Sequence, residues 1–290
     1  MLYQFSREDI KKILNQEFVK TFLTRRIDVE EFLKQLRLFS GELGLSQHTI
    51  TTFAALVQRS PKNLLCMEIY DGTTSQEAGQ VLKLALGQIS NHVDILVYPI
   101  PGEEDIPGFE IVRYLIERSY DNGRNQVELR TFEKEFLALD IVQDNPRTIK
   151  MILLEVDIYK KNSTNWEYGS TTRFKVSGRG TDFYMEILII SKYRMKHELM
   201  LFDTVAHEIG HLLGVAPRGR SNTEVSLGIH CTNNLCVMQQ KLEGSEALSY
   251  TNLRHEMRAP LFCRQCENDI EKFRSSFSIH DLSKINILLD

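Results

Sequence analysis

The stretch His207-Glu208-Ile209-Gly210-His211 constrains this chain more than any other. Around it, apolar residues recur at Leu199, Phe202, Val205, Ala206, Ile209, Leu212 and Leu213, a helical spacing that buries one stripe of a helix over 198–213. Histidines four apart project from neighbouring positions on one face, one turn above the other. Two neutral imidazoles so placed can hold one Zn²⁺ and leave its other positions open. Glu208 lies one residue round the helix, where a carboxylate can take a proton from a metal-bound water without filling a coordination position. Gly214 ends the helix, because glycine accepts positive φ and lets the chain turn back.

A chance match to this pattern is expected in about one chain in a hundred with this histidine content, so the residues that follow decide the matter. His230 is a candidate third ligand. Cys231 and Cys236 form a C-x4-C pair and Cys263 and Cys266 a C-x2-C pair, so four of the five cysteines follow the helix at metal-binding spacings. The fifth, Cys66, lies in the apolar run 64–69 and reads as a buried core thiol.

In this combination the sequence resembles the archaemetzincins, whose pattern is HExxHxxGxxHC-x4-CxM followed by a distal CxxC. Here it reads His207-Glu208-x-x-His211-x-x-Gly214, then His230-Cys231-x4-Cys236-x-Met238, then Cys263-x-x-Cys266. The resemblance implies a metzincin-type zinc peptidase that binds two Zn²⁺. His207, His211 and His230 would hold the catalytic ion, and Cys231, Cys236, Cys263 and Cys266 a structural one. Glu208 would be the general base and Met238 the residue of the Met-turn beneath the metal. The family places its third histidine where this chain has Pro217, and the histidine appears instead after a polar insert over 215–229. An inserted loop that returns to the same place is tolerable, since the entropy of loop closure grows slowly with length. The spacing from Met238 to Cys263 is also longer than the family's, with 243–260 available as a second insert.

Residues 1–60 read as a helical N-terminal extension without a chemical motif, with a cap at Ser6-x-x-Asp9 and an amphipathic stretch from Val29 to about Leu43. Residues 61–290 read as one archaemetzincin-like zinc peptidase domain. From Leu64 the pattern is mixed: strands at 64–70, 93–100, 151–159 and 183–191, and a helix at 75–89. The segment 111–116 fits a strand or a buried helical turn, and 127–136 is ambiguous, with Glu133 and Glu135 on a solvated side. Trp166 to Val176 reads as an edge strand able to line a cleft and hold an extended peptide. The expected class is therefore α+β: a metzincin-like mixed sheet with an active-site helix and a C-terminal four-cysteine zinc subsite. Of the other histidines, only His255 is a substitute ligand for His230.

Composition bounds the remainder. A chain of 290 residues with 26% charged residues and a net charge of −4 has no general attraction for nucleic acid or anionic membrane. No apolar run approaches the roughly 20 residues needed to span a bilayer, and the first residues lack a secretory signal. The expectation is a cytoplasmic protein acting on a peptide or protein, with no nucleic-acid or membrane partner. In a reducing compartment, spaced cysteines indicate metal rather than disulfides. A non-catalytic zinc protein serving as a protein-interaction module is the alternative, and a redox role for Cys263-x-x-Cys266 is a further one.

Overall fold

The computed structural model describes residues 2–4, 34–35, 37–38, 41, 44, 46, 64–73, 75–98, 108–143, 149–161, 166–177, 182–225, 228–240 and 244–276. Most of the expected N-terminal helices, the expected division at 60–61 and the side chain of Cys66 lie outside them.

In chain order the elements are β1 (Leu2–Gln4), β2 (Leu64–Asp71), α1 (Gln76–Ile89), β3 (Asp94–Tyr98), α2 (Gly108–Ser119), β4 (Tyr120–Asp121), β5 (Gln126–Glu128), α3 (Leu129–Leu137), α4 (Asp140–Gln143) and β6 (Ile149–Leu154). They continue with β7 (Ile158–Tyr159), β8 (Trp166–Glu167), β9 (Gly169–Ser177), β10 (Asp182–Ser191), α5 (Glu198–Leu212), β11 (Thr223–Val225), β12 (Ile229–Cys231), α6 (Gly244–Glu256) and α7 (Arg264–Ser276). The principal sheet has the order β1-β3-β2-β6-β10-β9. Its pairings are parallel except β9 with β10, which leaves β9 as an antiparallel edge. A small sheet, β4-β5-β7-β8, stands beside it, and the chain passes from one sheet to the other at Tyr168.

Alternation along the strands divides the core into two layers. Leu65, Met67, Met151, Leu153, Leu188 and Ile190 face α1 and α5. Tyr70, Ile152, Leu154, Met185, Ile187 and Ile189 face α2 and α3. Helix α1 starts where Ser75 Oγ accepts the Ala78 N–H at 3.3 Å, and it buries Val81, Leu82, Ala85 and Ile89. Helix α5 starts where His197 Nδ1 accepts the Leu199 N–H at 3.1 Å. It stops at Gly214, where φ is +66°. Among the described residues no helix is long and apolar enough to cross a membrane.

Two expectations change, and the open choice at 111–116 falls to a helix. Residues 151–159 are two strands, because Asp157 turns inward between them and accepts from Gln126 Nε2 at 2.8 Å and Arg194 Nε at 2.9 Å. Residues 111–116 form the middle of helix α2. Glu133 belongs to helix α3 and is buried rather than solvated, and burial raises its carboxyl pKa against an opposing hydrogen bond from Thr172.

On the α2–α3 side of the sheet, Glu68 of β2 and Lys150 of β6 are in register and form an ion pair with both side chains fully buried. Tyr70 donates its hydroxyl to Glu68 at 3.0 Å. Removing one partner strands the other charge out of water, so Lys150→Met should cost about 3–5 kcal/mol in urea unfolding. The double variant Glu68→Met/Lys150→Met should recover most of that loss. A single variant as stable as the parent would show that the pair is not what keeps Glu68 buried.

Candidate metal centres and the adjoining cleft

Two clusters of ligating side chains form around the end of α5. In the first, the imidazoles of His207, His211 and His230 offer nitrogens that all lie within 4.8 Å of one another. The Nε2 atoms of His207 and His211 are 3.1 Å apart, and the His230 ring stacks on His207 with centroids 5.1 Å apart. Metal–nitrogen bonds of about 2.0–2.1 Å in a tetrahedron put nitrogens roughly 3.3 Å apart, so the donor set fits one Zn²⁺. The tautomer also fits. His207 Nδ1 lies 2.8 Å from the Val237 carbonyl, which can only accept, so Nδ1 carries the hydrogen and Nε2 the free lone pair. Burial, with the nearby His230, pulls the His211 pKa down to about 4, keeping that ring a neutral donor.

His230 reaches this cluster through the 215–229 insert, which ends in the hairpin β11–β12 with Glu224 opposite His230. Gly228, at φ +141°, permits the approach. A Cβ there would lie 2.7 Å from His230 Cε1. Pro217 lies in the wall of the cleft near the three histidines. His255 is not among them. Its ring packs against Phe202 and it neighbours Asp203, so it does not substitute for His230.

The second cluster joins Cys231, Cys236, Cys263 and Cys266, whose sulfurs also lie within 4.8 Å of one another. Cys231 and Cys263 are 3.7 Å apart, and Cys236 and Cys266 3.5 Å. A tetrahedron with Zn–S bonds of about 2.3 Å has sulfur–sulfur edges of roughly 3.8 Å, so these four also fit one ion. The sulfurs compete for charge. Hydrogen bonds from Cys236 and Cys266 pull Cys231 down to about 2, while the same contact with Cys231 pushes Cys236 up to about 12. A divalent cation would offset that competition. Backbone N–H groups of Asn233 and Cys263 point at Cys231 Sγ and Cys236 Sγ, at 3.5 and 3.4 Å. The first turn of helix α7 carries Cys266.

The segment between the clusters belongs to both. Cys231 N–H donates to Met238 O at 2.9 Å, and Val237 N–H to Leu261 O at 3.0 Å. Met238 is fully buried against α5, where Gly210 leaves room for it. A Cβ at Gly210 would fall on Met238 Sδ and within 3.2 Å of Phe262.

Glu208 is 7% exposed and lines the same cleft of about 1280 Å³ as the three histidines. Thr171 of β9 donates to Glu208 Oε2 at 2.5 Å. Gly169 lets the carboxylate lie against the strand, since a Cβ there would come within 2.6 Å of Oε1. Burial raises the Glu208 pKa to about 7. Edge strand β9 lines the cleft through Gly169, Ser170, Thr171 and Arg173, as do Lys160 and Glu167, which pair at 2.8 Å. The lining also includes Ser245, Ala247 and Thr251 of α6, residues that sequence reasoning passed over. Thr251 and Arg254 hold Asp203, one turn before His207 on α5, in a buried network.

No family model matches this chain, and no curated protein does. Among solved structures, the archaemetzincin of Methanopyrus kandleri is similar at 16% identity and a TM-score of 0.45, covering 74% of this chain and 97% of that one. A zinc-dependent peptidase from Methanocorpusculum labreanum is similar at 14% identity and a TM-score of 0.40, covering 71% of this chain and 99% of that one.

The close fit of Met238 under the helix gives a direct test of packing at this site. Gly210→Ala should overpack the fully buried Met238 and cost about 1–3 kcal/mol, read as a lower urea midpoint. An unchanged midpoint would mean that Met238 moves aside freely.

Proposed function

We propose that this chain is a zinc-dependent peptidase of the archaemetzincin type, hydrolysing peptide bonds in the cleft between β9 and α6. The observation that carries the proposal is the meeting of His207, His211 and His230 in one cleft with the carboxylate of Glu208. The last of these histidines arrives from a separate loop, and a helix that merely happened to carry two histidines would have no reason to recruit it. Zinc held by the three imidazoles supplies a Lewis acid that polarises the scissile carbonyl and makes water acidic near neutral pH.

The chain's own groups do the rest. His207 is fixed in the right tautomer by Val237 O, and His230 is held against it by the hairpin. Glu208 is the general base: it takes the proton of the attacking water and delivers it to the departing amine as the C–N bond breaks. Thr171 orients that carboxylate, and Gly169 leaves it space. An extended peptide can lie along the outer edge of β9, the last strand of the sheet among the described residues, where main-chain hydrogen bonds would set its register. Met238 is the apolar floor and takes no part in proton transfer. The four cysteines hold the second, structural zinc, tying the segment of His230 and Met238 to helix α7.

Metal analysis should find two zinc ions per chain, with one retained when all four cysteines are replaced by serine. A parent that holds only one ion, and loses it on Cys231→Ser, would contradict the two-centre arrangement. Glu208→Ala should abolish cleavage of a diverse peptide library while zinc content stays near normal. Turnover equal to the parent would remove Glu208 from the reaction. A zinc-loaded parent that cleaves nothing in the library would favour the protein-interaction module.

A further inference from the structure

The 215–229 insert does more than return the chain to His230. Its Arg220 leaves the surface, with a side chain only 12% exposed, and enters the cysteine cluster. Both terminal nitrogens, Nη1 and Nη2, donate to Cys266 Sγ at 3.5 Å. Nη1 also pairs with Asp269, one turn further along α7 and 3% exposed. The arrangement is braced on both sides. Asp269 Oδ2 accepts the Ala216 N–H at 3.1 Å, and the Arg220 carbonyl accepts from Thr223 Oγ1 at 2.7 Å. A second insert residue, Asn222, directs Nδ2 towards Cys231 Sγ at 3.7 Å.

Electrostatics give this contact its meaning. Four thiolates around one Zn²⁺ carry a net charge of −2, and burying that charge costs free energy unless opposite charge or hydrogen bonds offset it. Cys231, Cys236 and Cys266 are all buried. Backbone donors serve Cys231 and Cys236, while the guanidinium brings two N–H groups to Cys266 and a positive charge that it shares between that sulfur and Asp269. Lysine could bring the charge but not the two-pronged geometry.

We propose that Arg220 is the outer-sphere counter-cation of the cysteine centre, so that retention of its zinc depends on the insert that also delivers His230. The proposal rests on the reading of the four cysteines as a zinc site. Arg220 is a positioning residue: it touches neither substrate nor the three imidazoles, and it acts through the Cys266 sulfur.

The test uses the full, zinc-loaded chain challenged with excess chelator, with release followed colorimetrically. The fourfold Cys→Ser variant identifies which phase of release belongs to the cysteine centre. Loss of outer-sphere partners typically weakens metal sites about 10–100-fold. Arg220→Met should therefore speed the cysteine-site phase at least about tenfold and leave the histidine-site phase unchanged, while Arg220→Lys should fall between. With Co²⁺ in place of zinc, the sulfur-to-cobalt charge-transfer band of Arg220→Met should move to lower energy, because the cation no longer stabilises the sulfur lone pairs. The d–d bands of tetrahedral Co²⁺ should stay in place, which separates loss of the cation from distortion of the four-sulfur site. Release at the parent rate with an unmoved band would overturn the proposal. So would Arg220→Lys releasing as fast as Arg220→Met, and if the methionine variant folds poorly, Arg220→Lys releasing at the parent rate overturns it. Absence of any cysteine-site phase in the parent would refute the zinc assignment itself, a result distinct from failure of the Arg220 role.

Discussion

Two adjacent residues on one short strand serve two different centres, and most of the molecule's C-terminal half follows from that. In β12, His230 and Cys231 point to opposite faces, as neighbours on a strand must. One imidazole joins the pair on α5, and the sulfur beside it joins three other cysteines. A few residues on, Cys236, Val237 and Met238 repeat the device: a sulfur for one centre, then a carbonyl that fixes the His207 tautomer and a thioether beneath the helix. On the proposed reading, a metal held by the four cysteines would clamp the loop that carries His230. These cysteines lie far apart in sequence, so closing such a site would select one path for that loop.

Both longer segments that set this chain apart from the archaemetzincin spacing are secured by the same chemistry. The first sends Arg220 to Asp269 on α7, the helix of Cys266. The second forms α6 and sends Arg254 to Asp203 on α5, the helix of His207 and His211. Each pair is buried, so each charge needs its partner, and breaking a pair costs far more than an apolar substitution of both members. Inserts of this size are entropically tolerable on their own. Held by arginine, they become walls of the cleft and supports for its ligands instead of loose loops.

How much of this could be read from the sequence depended on whether the signal was local. Histidines four apart on an amphipathic helix declare their shared face directly, and Ser75 and Gly214 mark helix ends by short-range rules. His230 could be placed only through the surrounding His-Cys-x4-Cys-x-Met pattern, since the insert hides its distance from the helix. Helix α6 escaped notice because its inward face relies on Thr251 and Arg254 meeting Asp203, so no apolar stripe announces it. Glu133 misled for the same reason: a carboxylate reads as solvated until Thr172 and the overlying core are in place. The break within 151–159 depended on Asp157 finding Arg194 and Gln126. In every case polar burial was decided by partners remote in sequence.

Anomalous diffraction at the zinc edge from crystals of the metal-loaded chain tests the central claim most directly. Two peaks are expected. One should lie about 2.0–2.1 Å from nitrogens of His207, His211 and His230, and the other about 2.3 Å from the four cysteine sulfurs. A peak on the helical pair with His230 turned away, and no other side chain in its place, would contradict the account.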